Sequence, residues 1–95
     1  MKNPAEHRTR LVLLKVEANN TTLSRFGFIV SKNVDKNAVI RNRVKRLFQE
    51  CANDIMGKIQ PGYDMLFIVH RPALKASKEE MCVVIQSLLK REKLL

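Results

Sequence analysis

The sequence predicts one α/β domain with the element order β-β-α-β-α, and three observations predict it. Two short apolar runs, at Leu11–Val16 and Arg25–Ser31, are separated by the turn-forming stretch Asn19-Asn20-Thr21-Thr22. A helical stripe then runs from Ile40 to Ile55, and a second one follows Ser77, with the nearly unbroken apolar segment Tyr63–His70 between them.

The first pair of runs reads as two antiparallel strands. In the second, Phe26, Phe28 and Val30 share one face, and Arg25, Gly27, Ile29 and Ser31 share the other, because side chains alternate along a strand. The first face suits a core, and the mixed face suits solvent or a ligand. After a polar loop, Asn37 is placed to cap a helix from about Ala38 to Met56, with Gly57 closing it. Ile40, Val44, Leu47, Phe48, Cys51 and Ile55 fall within about 100° of arc on that helix, which makes one side apolar. Pro61-Gly62 turns the chain into the strand Tyr63–His70, whose continuous apolarity predicts a central position. Arg71-Pro72 ends that strand. Ser77 and Glu80 have capping-box spacing, opening a last helix with Met81, Ile85, Leu88 and Leu89 as its buried stripe.

Ninety-five residues, 45% of them hydrophobic and 28% charged, fit a single globular domain spanning 1–95. No run is apolar and long enough to cross a membrane, and the MKNPAEHRTR terminus has no apolar leader segment, so a cytoplasmic protein is expected. Cys51 and Cys82 lack metal-ligand spacing and are read as small core residues, kept reduced. His7, placed in a mobile terminus, and His70, at a strand end, form no nucleophilic constellation, and the scattered aspartates assemble no metal site from sequence. Neither a catalytic residue nor a metal ligand is assigned to the protein.

Charge is the distinctive property. The net charge is +9, and from Arg25 to Arg46 seven cations stand against Asp35 alone. Arg41, Arg43, Lys45 and Arg46 follow one another with no acid between them, whereas solvated helix faces normally alternate signs to gain i,i+4 pairs. Such crowding costs stability until an anion relieves it, and arginine forks suit phosphate, so a nucleic acid is the predicted partner. Lys32 and Lys36 extend the patch toward the helix N-terminus. Phe48, the one aromatic in the basic segment, lies on the buried side, so base stacking has little support; backbone recognition of a folded RNA fits, as does a DNA groove. On the strand, Gly27 leaves room for a ligand backbone between Arg25 and Ser31, although an ordinary exposed strand face explains these residues equally well.

The segment RFGFIVSKNVDKNAVIRNRVKRLFQE resembles the signature region of the bacterial ribonuclease P protein subunit, in which a strand ending in Ser-Lys leads into a helix opening with Arg-Asn-Arg. The resemblance continues through GYDMLFIVHRPA and SKEEM and covers roughly Leu11 to Lys90. It implies a two-layer α/β sandwich with a mostly antiparallel sheet and a left-handed β-α-β crossover around the Arg-Asn-Arg helix. It implies a subunit that docks on a catalytic RNA and helps hold precursor tRNA while its 5′ leader is removed, with Mg2+ bound mainly by the RNA and no protein partner required. Arg41, Asn42, Arg43, Lys45 and Arg46 would then contact the RNA, supported by Lys32 and Lys36, and Arg25, Gly27 and Ser31 would belong to the leader cleft. Two departures are visible. The chain is read as lacking the N-terminal helix that forms one wall of that cleft, and Asn33 and Asp35 make the loop less basic than is usual. The competing reading is a basic RNA-binding protein of another ribonucleoprotein.

Overall fold

The computed structural model describes residues 5–95. Four strands and two helices are present: β1 (Ala5–Arg8), β2 (Val12–Ala18), β3 (Arg25–Ile29), α1 (Ala38–Ile55), β4 (Tyr63–Val69) and α2 (Lys78–Arg91). Short 3-10 turns at Met56–Lys58 and Arg71–Lys75 follow α1 and β4. The sheet order is β1-β2-β4-β3. β1 and β4 each pair antiparallel to β2, and β3 runs parallel to β4, so the β3-α1-β4 connection is a crossover between adjacent parallel strands.

One strand departs from the predicted order. Ala5–Arg8 forms β1, where the sequence pointed to a structureless terminus, because Glu6-His7-Arg8 has no apolar alternation to announce a strand. An edge strand needs none, since backbone pairing with Arg8 opposite Leu13 and Glu6 opposite Lys15 defines it. His7 is therefore placed rather than loose, and its imidazole meets the Glu92 carboxylate just beyond α2. The end of α1 differs in detail. Met56 continues into a 3-10 turn, a tightening that satisfies terminal carbonyls without a left-handed glycine at position 57.

The strand and helix periodicities meet in one core. Val12, Leu14 and Val16 of β2 and Met65, Phe67 and Val69 of β4 are buried on the same side of the sheet, against Val44, Phe48 and Ile55 of α1 and Met81, Ile85, Leu88 and Leu89 of α2. Phe28 stacks on both Phe48 and Phe67, with ring centroids 5.6 and 5.0 Å apart. Burying each such ring contributes on the order of 1.5–3 kcal/mol, so apolar contact is a main tie between the strand Arg25–Ile29 and the basic helix. Both helices lie on this side. The opposite face of the sheet, bearing Leu13, Lys15, Gly27, Leu66 and Ile68, carries no helix among the described residues.

The cysteines require a correction. Cys51 of α1 and Cys82 of α2 are joined in a disulfide, with Cα atoms 5.1 Å apart, and are not the reduced core thiols the sequence implied. They lie 31 positions apart in the chain, so no local spacing could announce the bond. Closing a loop of that length stabilises a fold by roughly 3–4 kcal/mol in the chain-entropy description. No helix among the described residues is long and apolar enough to span a membrane.

Candidate nucleic-acid interface

The interface begins with the cap that starts α1. The Asn37 side chain accepts the Val39 N–H at 2.9 Å, and the Asp35 carboxylate accepts the Asn37 N–H at 2.7 Å. These two bonds set the direction in which the helix leaves the loop. Val44, Phe48, Cys51, Ala52 and Ile55 are buried beneath it, so helical geometry turns Asn42, Arg43, Lys45 and Arg46 outward, where all four are exposed. Lys32 and Lys36 are exposed on the loop before the cap. Among the described residues none of these five cations forms an ion pair. Charge pairs exist elsewhere on the molecule, including Lys78 with Glu50 at 3.0 Å, which raises the Lys78 pKa through that hydrogen bond.

Arg41 behaves differently from its neighbours. It is half-buried, and its Nη1 donates to the carbonyls of Asp35 at 2.9 Å and Lys36 at 2.8 Å. Its guanidinium therefore braces the loop against the helix, and carbonyls rather than carboxylates receive it, so the positive charge is not cancelled. From the end of β4, Arg71 Nη2 donates to the Asn33 carbonyl at 2.7 Å.

The exposed sheet face has another electrostatic character. Arg25 Nε and Nη2 make a bidentate pair with the two Asp64 carboxylate oxygens at 2.8 and 2.7 Å, and the Asn19 amide donates to the same carboxylate at 2.9 Å. The Arg25 hydrogen bonds, assisted by Asn19, hold Asp64 below the usual carboxylate range, and the same contact raises Arg25. Beside this pair lies a groove of about 400 Å³ lined by Lys15, Glu17, Arg25, Phe26, Gly27 and Leu66. A Cβ at position 27 would stand 3.2 Å from Leu66 Cδ1, so the glycine keeps the groove floor low. Ser31 lies outside it, in the turn where its carbonyl accepts the Val34 N–H.

The family model described as Ribonuclease P matches residues 1–93, beyond both ends of the motif-bearing region. The chain belongs to the ribonuclease P protein family. The ribonuclease P protein component of Roseiflexus castenholzii is 37% identical over 82 residues, covering 85% of this chain and 66% of that protein. The component from Alkaliphilus oremlandii is 37% identical over 86 residues, covering 90% of this chain and 75% of its own length. The structure of the Staphylococcus aureus RNase P protein superposes with a TM-score of 0.83 at 26% identity, covering 96% of this chain and 83% of that one. As a ribonuclease P protein, the chain is the protein component of the endoribonuclease that matures tRNA 5′ ends, and its partner is that enzyme's RNA.

Relative to the residues the sequence singled out, the ribonuclease P fold gathers Lys32, Lys36 and Arg41 around one braced loop and sets Asn42, Arg43, Lys45 and Arg46 along one helix. Arg25 and Gly27 share the groove on the other side of the sheet. Arg71 escaped notice, since Arg71-Pro72 reads only as the end of a strand. Asp64 escaped as well, because its role needs Arg25 from a strand 39 residues away.

Proposed function

We propose that the α1 face of Asn42, Arg43, Lys45 and Arg46, with Lys32 and Lys36 beside it, neutralises phosphates of the ribonuclease P RNA, and that Arg41 contributes chiefly by bracing the loop that carries the two lysines. The supporting observation is the contrast in pairing: these exposed cations have no carboxylate partners among the described residues, while Arg25 and Lys78 do. Unpaired charge at this density is a standing cost that binding a polyanion removes.

On the other side of the sheet, the groove beside Arg25 and Gly27 receives the single-stranded 5′ leader of precursor tRNA, while Ser31 lies beyond its lining in the turn after β3. Its floor is apolar and low, and its rim sets Lys15 and Arg25 beside Glu17 and Asp64, which suits an extended strand taken up by shape and base contact more than by net charge. Chemistry at the scissile bond belongs to the RNA. Among the described residues no three acidic, histidine or cysteine side chains converge, so the donor set does not fit a protein-held Mg2+. The cationic face repels divalent cations, and we assign Mg2+ to the RNA, whose charge the protein lowers locally.

The working compartment is the cytoplasm, where precursor tRNA is made. Its reducing conditions oppose the Cys51–Cys82 bond, but α1 and α2 also share an apolar interface. The deciding experiment adds this protein to ribonuclease P RNA and precursor tRNA at low Mg2+. Restored cleavage at the mature 5′ end is expected. Tight binding without restored cleavage would point to another ribonucleoprotein, and cleavage by the purified protein free of RNA would place the active site in the protein.

A further inference from the structure

We infer that Arg71 is a positioning residue for the RNA interface, acting from the end of β4 as the outer half of a two-guanidinium clamp that presents Lys32 and Lys36. The inference rests on the reading of those lysines as RNA-facing. The loop between β3 and α1 is mostly polar and exposed and has no strand or helix ladder of its own, so left to itself it would splay. Three features prevent this. A turn closes its start, with the Val34 N–H bonded to the Ser31 carbonyl at 3.0 Å, and Val34 itself is buried. Arg41 reaches in from the helix to the carbonyls of residues 35 and 36, and Arg71 reaches in from the end of β4 to the carbonyl of residue 33.

The base of Arg71 is itself rigid. The His70 N–H bonds the Leu11 carbonyl at 2.8 Å, and the His70 carbonyl accepts the Ala73 N–H at 3.0 Å. The 3-10 turn begins at Arg71 itself with Pro72 in its first turn, and Ala73 is fully buried beneath it. The fixed backbone at position 71 roots the side chain within reach of Asn33, and the planar guanidinium fork suits a carbonyl acceptor. The acceptors are backbone groups, so the clamp adds order while leaving the local positive charge intact. A carboxylate clamp would have cancelled the charge it was meant to display. The ordering is completed before RNA arrives, which lowers the entropy lost when the lysines are immobilised on phosphate.

Two measurements on the full chain test this. In the free protein, amide hydrogen exchange at Val34 and Asn37 should be roughly tenfold faster in Arg71→Ala, with the amides of β4 unchanged. Affinity for ribonuclease P RNA should fall about three- to tenfold for Arg71→Ala in the native background, but less than about twofold when Lys32 and Lys36 are already alanine, since coupled residues are not additive. Equal losses in both backgrounds would show an independent RNA contact and overturn the clamp, as would unchanged exchange. If the Lys32→Ala/Lys36→Ala protein binds RNA as well as the native chain, the interface reading fails and the clamp loses its role in RNA binding. Exchange measured without RNA then still reports whether Arg71 holds the loop.

Discussion

The two sides of this small sheet carry cations in opposite ways. On the uncovered face, Arg25 is locked in a bidentate pair with Asp64, and Lys15 stands 3.7 Å from Glu6. Across the molecule, the exposed cations of α1 and of the loop before it meet no acid among the described residues, and the two guanidiniums that are engaged, Arg41 and Arg71, rest on backbone carbonyls. The sheet face balances its charge within the fold, whereas the helix face leaves its charge for a partner. The contrast also separates two modes of recognition. A pre-paired groove selects by shape, and an unpaired helix supplies affinity that depends on salt.

The contrast is broken most severely by Arg43→Ala together with Arg46→Ala. Both residues are exposed, so the urea midpoint should stay close to native. Binding to ribonuclease P RNA should weaken about 10- to 100-fold, with the salt slope reduced by about 0.7 to 0.9 for each lost phosphate contact. Native affinity and native slope in a filter-binding titration would remove this face from the interface.

Arg25→Ala tests the opposite side and should have a smaller and different effect. Affinity for the RNA subunit should change less than about twofold, because a paired, exposed charge adds little long-range attraction. Preference for precursor over mature tRNA should fall about two- to fivefold, as expected where a single groove contact to a flexible strand is lost. A large change in the salt slope of RNA-subunit binding would mean that Arg25 serves the same surface as α1.

The smallest effect is the pH dependence of the pair itself. Asp64 has a folded pKa below its unfolded value, so its contribution to stability is complete above the ordinary aspartate range near ~4 and is lost as pH falls through the lower folded value. Acid unfolding followed by circular dichroism should therefore be slightly less steep in Asp64→Asn than in the native chain between about pH 4 and pH 2. A steeper acid transition in the variant would reverse the assigned direction.

Much of this was legible before folding. The apolar stripe of α1 and its outward cations are separated by helical period alone, and the capping residues Asn37 and Ser77 act within their own turns. The alternation Phe26, Phe28 against Arg25, Gly27 likewise named both faces of β3, and the Phe stack bears it out. β1 was not legible, because an edge strand is specified by its neighbour's backbone and Glu6-His7-Arg8 carries no pattern of its own. Nor was the special behaviour of Arg41, which looks like its basic neighbours until the loop carbonyls come within its reach.

The sequence by itself determined the elements whose signal repeats within a few residues, along with the family and the placement of an acid-free cationic run, Arg41 to Arg46, on a helix whose other side is buried. Only the tertiary structure decided which cations remained free, because pairing joins residues far apart in the chain. Arg25 meets Asp64 across 39 positions, Arg71 meets Asn33 across 38, and Cys51 meets Cys82 across 31. Hydrogen bonds and disulfides act over a few ångströms of space, and no periodicity along a chain encodes which distant groups a fold will bring that close.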